Sequence, residues 1–171
     1  AALNILKLAL NSPPVFNPVL SFWAKKGEQY EERIYFEDAQ GGQGDEYLRF
    51  RLDELSLETM PNGTPIALGD SVLITIRVVD PTRILFEFGP AGLTFNPLDP
   101  AELDLKYEEA DDDFNEDGVV DQEDDDIEDI LAIWRQENPG DDFIKLGSIV
   151  FEPLEDIEAE LLGFSRYAIA Y

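Results

Sequence analysis

Apolar residues along most of this chain recur at every second position. Leu48, Phe50 and Leu52 alternate with Arg49 and Arg51, and Val72, Ile74, Ile76 and Val78 alternate with Ser71, Thr75 and Arg77. Ile84, Phe86 and Phe88 alternate in the same way with Arg83 and Glu87. A strand sends successive side chains to opposite faces, so each stretch predicts a half-buried strand with one face on a core. Between them stand Pro61-Asn62-Gly63-Thr64-Pro65, Gly69-Asp70, Asp80-Pro81, Gly89-Pro90 and Asn96-Pro97, whose fixed or positive φ values suit turns and spoil helices. Leu103, Leu105 and Tyr107 alternate with Asp104 and Lys106, and residues 143 to 151, 156 to 162 and 164 to 171 add three more strands. The last of these places Tyr167, Ile169 and Tyr171 on one face, while Leu131 to Arg135 reads either as a strand or as the end of a helix. The expected fold is all-β, an antiparallel β-sandwich of about ten strands with one short helix.

No repeat of solenoid or propeller length occurs, and 171 residues with 44% hydrophobic content supply one sizeable core. Residues 15–171 therefore read as a single sandwich domain, with an insertion at 108–130. Residues 1–14 read as an N-terminal arm or first strand, set apart by Asn11-Ser12-Pro13-Pro14. Leu3, Ile5, Leu6, Leu8 and Leu10 make the arm apolar on both faces, so something must cover it. The cover is either the chain's own core or a neighbouring subunit whose sheet the arm completes, which would make a homopolymer.

Charge changes the picture in one place. The chain carries 38 acidic and 12 basic residues, a formal net charge of −26, and this field disfavours nucleic acid and anionic lipid as partners. No apolar run is long enough for a membrane-spanning helix, so no membrane insertion is expected. Residues 108–129 hold fourteen of the acids and no lysine or arginine, which leaves the rest of the chain at −12. Histidine and cysteine are absent, which removes the commonest general base, the Ser-His-Asp and Cys-His arrangements and any disulfide. With so many acids a carboxylate pair alone does not point to a glycosidase, and the expectation is that the chain is not an enzyme. The start at Ala1-Ala2 is what remains after a signal peptidase cuts behind a small residue, though a trimmed chain would look the same; the expected location is secreted or at the cell surface.

Within the acidic segment, Asp113, Asn115, Asp117, Gly118, Val119, Val120, Asp121 and Asp124 fall at positions 1, 3, 5, 6, 7, 8, 9 and 12 of a calcium loop of the EF-hand type. A hard cation such as Ca²⁺ takes six to eight oxygens, and alternate side chains of a tightly wound loop can converge on one centre. Gly118 allows the sharp turn that brings the Val119 carbonyl inward, and Val120 is the apolar residue expected to anchor the loop to a core. Asp121 would ligate directly or through water. Asp124 would close the shell and stand at the N-cap of a helix marked by Ile127, Ile130, Leu131 and Trp134. The competing meaning of such a run is a solvated acidic loop held open by self-repulsion.

With Asp in place of Glu at its last position, the loop resembles the dockerin-type calcium loop of secreted bacterial proteins. Dockerins carry two such loops and bind cohesins through their helices. This chain has one loop, so cohesin binding is not implied. Phe88 to Phe95, Ala101 to Tyr107 and Gly163 to Tyr171 resemble the second half of ZU-type β-sandwich domains of secreted bacterial proteins. That resemblance covers about half of the chain and implies a structural or protein-contact module, with the calcium loop inserted between two neighbouring strands. The expected function is thus a calcium-binding assembly subunit outside the cell, with Ca²⁺ bound in the roughly 10⁻⁴ to 10⁻³ M range of extracellular modules. The alternative is a ligand-binding module, for carbohydrate, with Trp23, Trp134 or tyrosines as a stacking platform.

Overall fold

The period-two stripes become strands in a computed structural model, which describes residues 3–171. In chain order they are β1 (Val19–Lys25), β2 (Tyr30–Glu37), β3 (Gln43–Leu52), β4 (Leu57–Thr59), β5 (Ser71–Val78), β6 (Leu85–Gly89), β7 (Thr94–Phe95) and β8 (Ala101–Lys106). The helix α1 (Gln122–Glu128) follows, and then β9 (Ala132–Gln136), β10 (Phe143–Lys145), β11 (Ser148–Phe151), β12 (Asp156–Leu161) and β13 (Arg166–Ala170). All pairings are antiparallel. A six-stranded sheet runs β1-β5-β6-β13-β9-β10, a five-stranded sheet runs β11-β12-β8-β3-β2, and β4 pairs with β7.

The expected sandwich is present, with thirteen strands rather than ten. Two of the additions, β4 and β7, are too short to show a period. The stretch 143 to 151 divides into β10 and β11 around Leu146-Gly147, and these form outer strands of different sheets. Among the described residues no helix is long and apolar enough to cross a membrane.

The inward stripes are those the alternation marks. Val72, Ile74 and Ile76 of β5, Phe86 and Phe88 of β6, and Tyr167 and Ile169 of β13 are buried against Leu48, Phe50 and Leu52 of β3 and Leu103 and Leu105 of β8. Phe50 sits centrally, with ring centroids 5.7 Å from Phe88, 6.3 Å from Phe95 and 5.5 Å from Phe164. Aromatic pairs at such separations add to what their buried area contributes.

Residues 3–9 close one end of this core on their own chain; residues 1 and 2 of the arm lie outside the described residues. Leu6 N donates to Ile169 O at 2.9 Å and Ile84 N donates to Leu6 O at 3.0 Å, so the arm runs between the end of β13 and the stretch entering β6. Leu6 and Leu8 are buried, Leu3 and Ile5 half-buried, and Leu10 is 96% exposed. Four of the five apolar arm residues thus find cover in cis.

Candidate metal centre

The acidic excursion leaves the five-stranded sheet at the end of β8 and enters the six-stranded sheet at β9. It therefore joins two sheets, and is not an insertion between neighbouring strands. Its ends are fixed first. Tyr107 is buried and its hydroxyl donates to Glu128 Oε2 at 2.7 Å, tying the end of β8 to α1. Burial, with the Glu128 hydrogen bond second, pushes the Tyr107 hydroxyl far above its ordinary pKa, so it remains a donor.

The loop winds through two residues in the left-handed region, Glu116 at φ 57° and Gly118 at φ 89°. The second is where a glycine removes the steric penalty. Carboxylates and the Asn115 amide oxygen then collect backbone N–H groups. Asp113 accepts from Asp117 N at 3.1 Å and from Gly118 N at 2.8 Å. Asn115 Oδ1 accepts from Asp117 N at 3.2 Å, and Asp117 Oδ1 accepts from Val119 N at 2.9 Å. The bonds to Asn115 and Asp117 reach two residues on and are the Asx turns that short polar side chains favour, while those to Asp113 close the wider loop.

Two helix expectations are corrected by the capping geometry. The N-cap is Asp121, whose side chain accepts from Glu123 N at 3.0 Å, and Asp124 stands three residues on, accepting from Asp121 N at 2.9 Å to complete a capping box. The helix also stops at Glu128, so Leu131 and Trp134 do not belong to it. Leu131 and Ile133 are buried on alternate positions and Trp134 lies in β9. Here β9 pairs with β13 over five residues, and that ladder overrides a helical stripe of four positions. Val120 does not anchor the loop: it is 65% exposed.

Asp124 is the unusual member. It is 1% exposed, and its second contact is a long bond of 3.4 Å from Asn115 N to Oδ1. The cations that reach the loop, Lys7 and Arg83, pair with Glu116 instead, at 3.8 and 3.9 Å. A buried carboxylate without a counter-charge is costly.

Sequence reasoning missed the partners that hold the loop in place. Asp111 N donates to Lys7 O at 2.9 Å, Ala9 N donates to Glu109 O at 2.9 Å, and Arg83 Nη1 donates to Ile5 O at 2.9 Å. The Tyr171 hydroxyl donates to Phe114 O at 2.7 Å. Burial first, and then the charges of Glu116, Asp124 and Asp113, raise the Tyr171 pKa. A cavity of about 300 Å³ lies between arm and loop, with Lys7, Arg83, Asp113, Phe114 and Glu116 in its wall. The one signal for this in the sequence was Lys7, the sole charge in an otherwise apolar arm.

Among the described residues, no three or more carboxylates converge closely enough to cage an ion. The donor set is nevertheless of one chemical kind. Asp113, Asn115, Asp117, Asp121 and Asp124 offer hard oxygens and no nitrogen or sulfur ligand, which suits calcium over zinc or copper. Each oxygen that accepts one backbone N–H keeps a lone pair for an ion. The two tryptophans do not make a common platform. Trp23 lies on β1 and Trp134 on β9, four strand spacings apart in the sheet, on the order of 19 Å.

No protein-family model, no characterised protein and no solved structure matches this chain.

Proposed function

We propose that this chain is a secreted, non-enzymatic, calcium-binding β-sandwich that serves as a structural subunit of a cell-surface or extracellular assembly. The observation that carries the reading is Asp124, a carboxylate 1% exposed with no basic partner among the described residues, in a segment of fourteen acids. Asp113, Asn115, Asp117 and Asp121 surround the same turn with oxygen donors, and the Val119 carbonyl adds a neutral one. Calcium would draw these groups inward, compensate Asp124 and relieve the repulsion along 108–129. The likeness of the loop to the dockerin type, and of the later strands to ZU-type domains, supports the same assignment.

The loop pattern occurs once in this sequence and runs from β8 of one sheet to β9 of the other, which suits a fixed joint rather than a sensor. It would pin β8 of one sheet to β9 of the other. The arm's hydrogen bonds to Ile169 and Ile84 make it part of this unit in cis. Exchange of the arm between copies would require those bonds to be remade in trans.

Limited proteolysis tests the role of calcium. Cleavage near Gly118 is expected to accelerate on chelation and to slow again when calcium is restored. Equal cleavage rates in chelator and in calcium would remove the structural role.

A further inference from the structure

We propose that the outer face of the six-stranded sheet receives the tip of the acidic loop of a second copy of this chain, so that copies join head to tail. This rests on the reading of the chain as an assembly subunit and names the surfaces that would join.

The register of β1 and β5 settles which residues share that face. Trp23 lies opposite Leu73, Ser21 opposite Thr75 and Val19 opposite Arg77. The alternate residues Ala24, Val72, Ile74 and Ile76 are buried in the core, so Trp23, Leu73 and Val19 point outward. They are 64%, 45% and 60% exposed. An exposed tryptophan beside a leucine, with an exposed valine two same-face positions along β1, suits an interface centre.

Charge identifies the occupant. The ionisable residues that the registers place on this face are Lys25, Arg77, Arg166 and Lys145, with Glu87 between the two arginines at 2.9 Å from each. The face is thus net positive on a chain of −26. The loop tip is its complement. Val119 and Val120 are 55% and 65% exposed, and Glu123, Asp125 and Asp126, which are not among the calcium donors, stand exposed three to six residues beyond Val120. Apolar contact flanked by opposite charges sets both affinity and orientation.

Because face and tip are different surfaces, the contact is heterologous. Each joined pair keeps one free face and one free tip, and growth continues as an open chain unless the rotation closes a ring. The exposed valines, which no core contact explains, acquire a role.

Sedimentation of the full chain in saturating calcium tests this with two variants. Trp23→Ser breaks the face, and Val120→Ser breaks the tip. Both side chains are exposed, so both variants are expected to melt with the wild type. Wild type is expected to form species that lengthen with concentration, and each variant alone to remain monomeric. An equimolar mixture should stop at 1:1 dimers, because the intact tip of one fits the intact face of the other and no further joint remains. If Trp23→Ser assembles like wild type, the face is not the joint and the proposal fails while the assembly reading stands. If the wild type itself stays monomeric at every concentration, the assembly reading fails and takes the proposal with it.

Discussion

The sandwich body and the acidic excursion at 107–131 are held by different physics. In the body, apolar stripes from two sheets meet across Phe50, Phe88 and Phe164, and removal of surface from water does the work. In the excursion, order comes from backbone N–H groups accepted by Asp113, Asn115, Asp117 and Asp124, and from a few ties to the arm and to Tyr171. Apolar side chains carry no titrating group, so their burial responds only weakly to pH and to dilute ions. Carboxylates packed against one another are sensitive to both. The comparison predicts a molecule whose body stays folded while its excursion loosens.

The largest effect should come from the body. Phe50→Ala leaves a cavity where four aromatic neighbours, Phe22, Phe88, Phe95 and Phe164, meet and is expected to cost about 3–5 kcal/mol, seen as a single shift of the whole melting transition. Separate melting of body and excursion in that variant would mean that the two are less coupled than their shared strands imply. Next comes the arm. Leu6→Ala should cost about 2–3 kcal/mol, because the site lies at one end of the core and can partly collapse. It should also raise hydrogen exchange at Asp111, whose N–H is held by Lys7 O, and unchanged exchange there would contradict the arm's place as a brace for the loop.

The strands were legible because one buried face forces a period of two, and Leu48-Phe50-Leu52 or Phe86-Phe88 obey it without exception. The stretch from Ile127 to Trp134 was not. Its apolar residues satisfy a helical spacing, yet Ile130 is exposed and the pairing partner that decides the matter, β13, lies more than thirty residues away. In the loop, residue types and spacing were readable, whereas the burial of Asp124 and the exposure of Val120 depend on where the rest of the fold places that turn. The arm posed a third kind of problem: its sequence demanded cover without saying whose.

A smaller effect should follow from Tyr171→Phe, which deletes one hydroxyl bond to Phe114 O. The expected cost is about 1 kcal/mol, confined to exchange rates at 114–118. A loss spread evenly over the sheets would place Tyr171 in the body rather than at the joint.

The smallest effect is that of pH on the chelated protein. The Asp129 hydrogen bond, ahead of burial and neighbouring acids, pushes Glu152 up to about 7, and burial raises Glu109 and Glu155. Raised carboxyl values favour the protonated form in the folded state. Their contribution is full below the ordinary carboxylate range near 4.3 and is lost as pH rises through the raised values. Protection factors in the excursion, with the intrinsic pH dependence of amide exchange divided out, should therefore fall between about pH 4 and about pH 7 in chelator, and this slope should flatten in calcium. A slope of the opposite sign would mean that these acids gain more from cations than they lose to one another.

Calorimetric titration of calcium into the chelated chain, repeated with Asp124→Asn, separates a bound ion from an empty acidic loop. One site with a Kd of about 10⁻⁴ to 10⁻³ M is expected, abolished or weakened severalfold by the substitution. Asp124→Asn is expected to melt no lower than wild type in chelator, since the variant removes a buried charge and keeps an acceptor for Asp121 N. Absence of binding heat in the wild type, together with unchanged exchange at 113–124 in calcium, would contradict the bound ion.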